Sequence, residues 1–115
     1  MSNAAKILVV DDDPYILMSL EFLMKKNGFQ VVVARNGTEA LECITKDMPT
    51  LVLLDIMMPD VDGYAIYKHI KVIFLSAKTK ESDIKKGLEL GAERYISKPF
   101  STRDLMKQVK ELLDS

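Results

Sequence analysis

Lys6-Ile7-Leu8-Val9-Val10-Asp11-Asp12-Asp13-Pro14 is the stretch that decides the fold. Its apolar residues run without polar alternation, as in a strand covered on both faces of a parallel sheet. Three carboxylates end the run, and Pro14 fits the first position of a helix behind an Asp cap. Ile16, Leu17, Leu20, Leu23 and Met24 then recur at helical spacing until Asn27-Gly28 stops the pattern. The unit repeats along the chain. Gln30 to Ala34 reads as a second strand, Thr38 to Lys46 as a helix entered from Asn36-Gly37, and Leu51 to Leu54 as a third strand. Tyr64 to Lys71 leaves room for a third helix, and Val72 to Leu75 is a fourth buried strand. Glu81 to Leu90 reads as a helix closed by Gly91, and Arg94 to Ser97 as a short fifth strand. Ser101, with Asp104 three residues on, opens a last helix through Leu113. Five strands alternating with five helices make an α/β protein with a doubly wound parallel sheet, in which ligands bind beyond the carboxyl ends of the strands.

Composition narrows the function. A chain of 115 residues holds one core, and 48% hydrophobic residues are enough to fill it. A net charge of -1 provides no footprint for direct nucleic acid binding or for an anionic membrane surface. No apolar run approaches the roughly 18 residues that span a bilayer, and no signal peptide is apparent, so the cytoplasm is the expected address. Residues 1–5 read as a tag or disordered N-terminus and 6–115 as the domain. One cysteine, Cys43, excludes an internal disulfide and reads as a packed thiol. His69 reads as a solvated helix residue, and Met18, Met24 and Met106 as packing side chains.

The strand ends carry the chemistry. The first ends at Asp11-Asp12, the third at Asp55, the fourth at Ser76 and the fifth near Lys98. Each alone has an ordinary explanation, since acids cap helices and lysines are usually solvated. In a parallel sheet, however, all of them meet at one edge. Crowded carboxylates need a cation, and oxygen ligands on an open rim suit Mg2+. A carboxylate can attack phosphorus if a metal and an ammonium group offset the charge on the phosphoryl oxygens, and Asp55, Mg2+ and Lys98 form that set. The Ser76 hydroxyl can hydrogen-bond a phosphoryl oxygen.

The chain resembles the receiver domain of two-component response regulators, of the CheY-like, flavodoxin-like (βα)5 type. The resemblance rests on Ile7-Leu-Val-Val-Asp-Asp-Asp13, Asp55-Ile-Met-Met-Pro-Asp-Val-Asp-Gly63, Phe74-Leu-Ser-Ala77 and Tyr95-Ile-Ser-Lys-Pro-Phe100. It implies a five-stranded parallel sheet of order 2-1-3-4-5. It also implies that Asp55 accepts a phosphoryl group from a phosphohistidine of a histidine kinase or phosphotransfer protein, in a signalling switch rather than an enzyme. Asp12 and Asp55 would be direct Mg2+ ligands with the Met57 backbone carbonyl, and Asp11 would act through water. Lys98, Ser76 and Asp11 would assist the transfer, with Ser76 and Tyr95 as the switch pair. The Lys98-Pro99 peptide bond is commonly cis in the family. Asp60 and Asp62 look like turn residues ahead of Gly63. A homodimer through the fourth helix, fifth strand and fifth helix is the self-association that the resemblance allows, although Arg94 stands where many DNA-binding members place an acid.

One interval departs from the family. Only 21 positions separate Asp55 from Ser76, and Val72 would open a strand directly after the helix ending at Lys71, where a connection of roughly 2 to 6 residues is usual. The expected explanation is a segment of about 6 to 10 residues missing between Lys71 and Val72, with a break in the chain there. Two other functions compete. An unphosphorylated pseudo-receiver would need a broken acid pocket, and this one is complete. A haloacid-dehalogenase-type phosphohydrolase would use Asp11 as nucleophile, but no acidic pair follows Lys98 to hold its metal.

Met57 and Lys78 resemble the family's sites for tuning the lifetime of the phosphorylated state. Met57 has no side-chain oxygen or amide to orient an attacking water, while Lys78 could oppose it by attracting hydroxide. The expected net result is slow hydrolysis. Replacing Met57 by Asn should speed dephosphorylation by about 10-fold, since water positioning is worth at least that much. A phosphate-release assay on the labelled proteins measures it, and equal rates would remove the argument.

Overall fold

A computed structural model describes residues 5–55, 70–76, 93–98 and 100–114. Their elements are β1 (Lys6–Val10), α1 (Pro14–Lys26), β2 (Gln30–Ala34), α2 (Gly37–Asp47), β3 (Leu51–Asp55), β4 (Lys71–Ser76), β5 (Arg94–Ser97) and α3 (Thr102–Asp114). All four ladders are parallel, and the strands lie in the order β2-β1-β3-β4-β5, as the resemblance implies. β1 sits between β2 and β3, with Val10 in register with both Ala34 and Leu54.

The strands lack alternation because both faces of the sheet are buried. Ile7, Val9, Leu51, Leu53, Ile73, Leu75 and Ile96 face one core with Leu17, Leu20 and Met24 of α1 and Leu105, Met106, Val109 and Leu112 of α3. Leu8, Val10, Val52, Leu54, Val72 and Phe74 face the other, which Ala40 of α2 closes. Successive strand residues thus enter different cores, the period of two that a pleated strand dictates.

The helix starts follow their caps. Asp13 precedes Pro14 and accepts from the Tyr15 N–H at 2.9 Å. Asn36 caps α2 by accepting from the Glu39 N–H at 2.9 Å, while the Glu39 carboxylate reaches back to the Arg35 N–H at 2.9 Å. Ser101 Oγ accepts from the Asp104 N–H at 3.3 Å ahead of α3.

Three expectations are corrected or narrowed. Lys71 and Val72 are successive residues of β4, in register with Leu51 and Val52, so the strand opens at Lys71 and not, as expected, at Val72. Lys71 belongs to the strand instead of a helix because its backbone extends the ladder to β3 and its ammonium donates to the Leu112 carbonyl near the end of α3. The described residues hold three helices; the expected helices at 64–71 and 81–90 fall outside them, except that residue 70 is a bend and Lys71 is in β4. Met18 does not pack: it is 66% exposed, beside Tyr15 and Phe22 on the outer face of α1, whereas Met24 and Met106 are buried as expected. Cys43 is half-buried against the α2 core, and burial, with the carboxylates of Asp47, Glu39 and Glu42 adding to it, raises its thiol above the ordinary range. His69, Asp60, Asp62 and Gly63 lie outside the described residues.

The α2 cap gives a pH-dependent contribution to stability. The Arg35 backbone N–H, helped by the Arg35 guanidinium, holds the Glu39 carboxyl below its usual value. A depressed folded value stabilises above the unfolded value, and that stability is lost as pH falls through the folded one. Glu39→Gln should therefore lower the urea midpoint at neutral pH, with the deficit shrinking at about pH 3. A deficit of equal size at both pH values would detach it from the charge.

Candidate functional site

β1 and β3 are neighbours, yet the chain reaches β3 only after crossing to β2 on the far side of β1, so the strand order reverses between them. Crevices of this kind, beyond the carboxyl ends of the strands, are where open α/β sheets bind ligands. Asp11 is the first residue past β1, and Asp55 ends β3 one position beyond the Val10–Leu54 pair. Adjacent parallel strands lie about 4.8 Å apart, so the two aspartates occupy neighbouring register positions at this edge. Ser76 ends β4 in register with Ser97 of β5, and Lys98 follows directly.

Asp11 is the anchor of the site. It is only 1% exposed, the one buried charged residue among those described. Its Oδ1 accepts from the Asp13 N–H at 2.9 Å, which turns the chain into α1, and its Oδ2 accepts from Lys98 Nζ at 3.1 Å. Its own N–H donates to the Ala34 carbonyl at 3.2 Å, continuing the β1–β2 ladder one residue past the strand. Lys98, with its side chain 19% exposed, is drawn inward across an 87-residue separation in sequence. A buried carboxylate needs such a partner, because an uncompensated charge there costs several kcal/mol. Asp12, one residue on, points the other way in exposure and is open to solvent.

The site thus contains, side by side, a buried carboxylate held by an ammonium group and an accessible carboxylate. Asp12 has the access a metal ligand requires, and Asp11, with both oxygens already engaged, suits an outer role. Asp11 and Asp12 supply carboxylate oxygens, the donor type that a hard cation such as Mg2+ takes, and among the described residues no group of three or more metal-ligating side chains is present. The same engagement of Asp11 argues against its serving as a nucleophile in the phosphohydrolase reading. Met57, Lys78 and Pro99 fall outside the described residues, and Asp55 and Ser76 are placed by their strand positions. Tyr95 is half-buried, opposite Phe74 in the ladder and packed against the α2-side core.

Sequence reading anticipated that these residues share one edge, but not that Lys98 pairs with Asp11 or that Asp11 also holds the Asp13 N–H. The Asp-x-Asp spacing ahead of Pro14 signals the second contact, since an Asp side chain readily accepts from the N–H two residues on. Nothing local to either residue signals the first.

A doubly wound α/β domain that brings an acid pair and a lysine together at the carboxyl ends of its strands is the class that the fold and the site define. The comparisons give the family: residues 7–110 match the response regulator receiver domain model, and the chain belongs to that family. It is therefore a signalling domain of two-component systems. A CheY-like receiver domain protein from Methanospirillum hungatei JF-1 is 32% identical, with a TM-score of 0.86 over 97% of this chain and 95% of that one. The receiver domain of Francisella response regulator 1452 is 34% identical, with a TM-score of 0.85 over 94% and 95%. A BeF3-activated DrrB receiver domain is 31% identical, with a TM-score of 0.86 over 97% and 99%. No helix among the described residues is long and apolar enough to cross a membrane.

The Asp11–Lys98 pair generates a stability prediction. Lys98→Met should cost about 3 kcal/mol by leaving Asp11 buried without its ammonium partner, and most of that loss should return in the Lys98→Met/Asp11→Asn double variant. Urea unfolding of the four proteins in a double-mutant cycle measures the coupling. Additive losses would show that the pair contributes no interaction of its own.

Proposed function

We propose that Asp55 is the phosphoacceptor of this receiver domain and takes its phosphoryl group from a phosphohistidine of a histidine kinase or phosphotransfer protein. The observation that carries this reading is the buried Asp11–Lys98 pair beside exposed Asp12, at the register position next to Asp55. An Asp55 carboxylate oxygen attacks phosphorus as the phosphorus–nitrogen bond breaks, and the imidazole nitrogen leaves with the bonding pair. Lys98, fixed by Asp11, offers an ammonium group at the strand ends to offset the phosphoryl charge. Asp12, Asp55 and the Met57 carbonyl would hold Mg2+, with Asp11 acting through water. When bound, the ion would neutralise charge on the transferring oxygens.

The output follows from where the remaining residues stand. Ser76 ends β4, and Tyr95 sits in the edge strand β5, half-buried against the α2-side core. In this reading the Ser76 hydroxyl turns toward the phosphoryl group and the Tyr95 ring moves inward, altering the surface around β5. An amphipathic ring can occupy both positions without leaving its hydroxyl unsolvated. The domain acts as a phosphorylation-controlled switch in the cytoplasm, with signal and output set by its partners.

Incubation with acetyl phosphate and Mg2+, followed by intact-mass measurement, tests the reading. The wild type should gain the mass of one phosphoryl group, and Asp55→Asn should gain none while unfolding at a similar urea concentration. Labelling of the variant at the parental rate would assign another nucleophile. Absence of labelling in the wild type would make the chain an unphosphorylated interaction module.

A further inference from the structure

A cleft of about 450 Å3 between the end of α1 and the face of α3 plays no part in the phosphoacceptor site. Its floor includes Leu23 and buried Met106, and its rim carries Lys26, Arg103, Lys107 and Lys110. Among the described residues no carboxylate lines it. On nearby surface, cations with an acid in reach do pair: Lys25 with Glu21 at 2.9 Å and Arg94 with Glu111 at 3.3 Å. The four cations of the cleft form no ion pair among the described residues, and the carboxylate of Asp104 on α3 is engaged by the Gln108 amide at 2.9 Å. In a chain of net charge -1 this is a local concentration of positive charge.

The shape of the array points to its occupant. Arg103, Lys107 and Lys110 follow one another at spacings of four and three residues, so they form a stripe about 10 Å long on one face of α3, with Lys26 across the groove. A single small anion would engage one or two of these groups and leave the apolar floor empty. A helix with carboxylates at the same spacing would meet the whole stripe and could seat an apolar side chain over Leu23 and Met106. Nucleic acid and anionic membrane fit less well, since the overall charge provides no long-range attraction to either. We propose that the α1–α3 cleft is a docking groove for an acidic amphipathic helix of a partner protein. The groove is independent of the acid pocket and of Asp55.

The test uses a fluorescein-labelled synthetic helix of about 16 residues, with Glu pairs four apart flanking Leu residues, titrated with the full chain and followed by anisotropy. Binding should saturate, weaken as salt is raised, and fall at least about 10-fold in the Arg103→Glu/Lys107→Glu variant and with a probe carrying Gln in place of Glu. Circular dichroism and urea midpoints confirm the fold of the variant; if charge reversal unfolds it, Lys107→Gln/Lys110→Gln carries the same comparison. Acetyl phosphate labelling should be unchanged in these variants, which separates failure of the groove from failure of the phosphoacceptor reading. The proposal is overturned if saturable binding is absent at low salt, if binding ignores the charge changes, or if the variants bind less only because the chain self-associates through the cleft. Tighter, cleft-dependent binding of a single-stranded oligonucleotide or of phosphatidylserine vesicles would overturn it too.

Discussion

β1 has a strand on each side and a core on each face, and this double enclosure organises the rest of the domain. Every side chain from Ile7 to Val10 is fully buried, so the strand admits no charge along its length. The first charge comes where the strand stops. Asp11 still donates its N–H to Ala34 and so shares the rigidity of the ladder, while its carboxylate meets groups from elsewhere in the chain. The Asp13 N–H and the Lys98 ammonium both attach there, which ties the entry of α1 and the residue after β5 to the same atom pair. The edge of the sheet is thus a consequence of how the sheet is buried.

Asp11 and Asp12 are chemically identical and adjacent, yet the fold gives them opposite surroundings. One is sealed and compensated; the other is solvated. A pleated chain leaving a strand turns successive side chains to opposite sides, so two consecutive acids supply one structural carboxylate and one accessible carboxylate. A single acid could not be both the fixed partner of Lys98 and an open donor.

β1, β3 and β4 were legible in the sequence because burial on both faces leaves nearly unbroken apolar runs, whereas β2 and β5 are less buried edge strands; β1, β2 and β5 have the bounds expected of them. Caps made α1 legible from Asp13 and α3 from Ser101. Met18 misled because it is apolar and close to Leu17 in sequence, but its direction on the helix groups it with Tyr15 and Phe22, not with Leu20 and Met24. Lys71 misled because a lysine at the end of a helix is common, and the carbonyl that draws it into β4 belongs to Leu112, far along the chain. The gathering of Asp11, Asp12, Asp55, Ser76 and Lys98 at one edge followed from parallel topology alone. The Lys98–Asp11 contact did not, because it depends on how β5 is placed across β4 and β3. The cationic cleft was equally hidden: Lys26 and Arg103 become neighbours only when two helices pack on the same face.

The position of β1 also bears on the order in which the domain can assemble. Both strands that pair with β1, and both helices that connect them, lie within residues 6–55. β3 closes the second ladder before any part of β4 is needed. During synthesis from the N-terminus, the centre of the sheet is therefore complete in principle while the chain that supplies β4, β5 and Lys98 is still unmade. Asp11 is in place first, and its ammonium partner arrives 87 residues later.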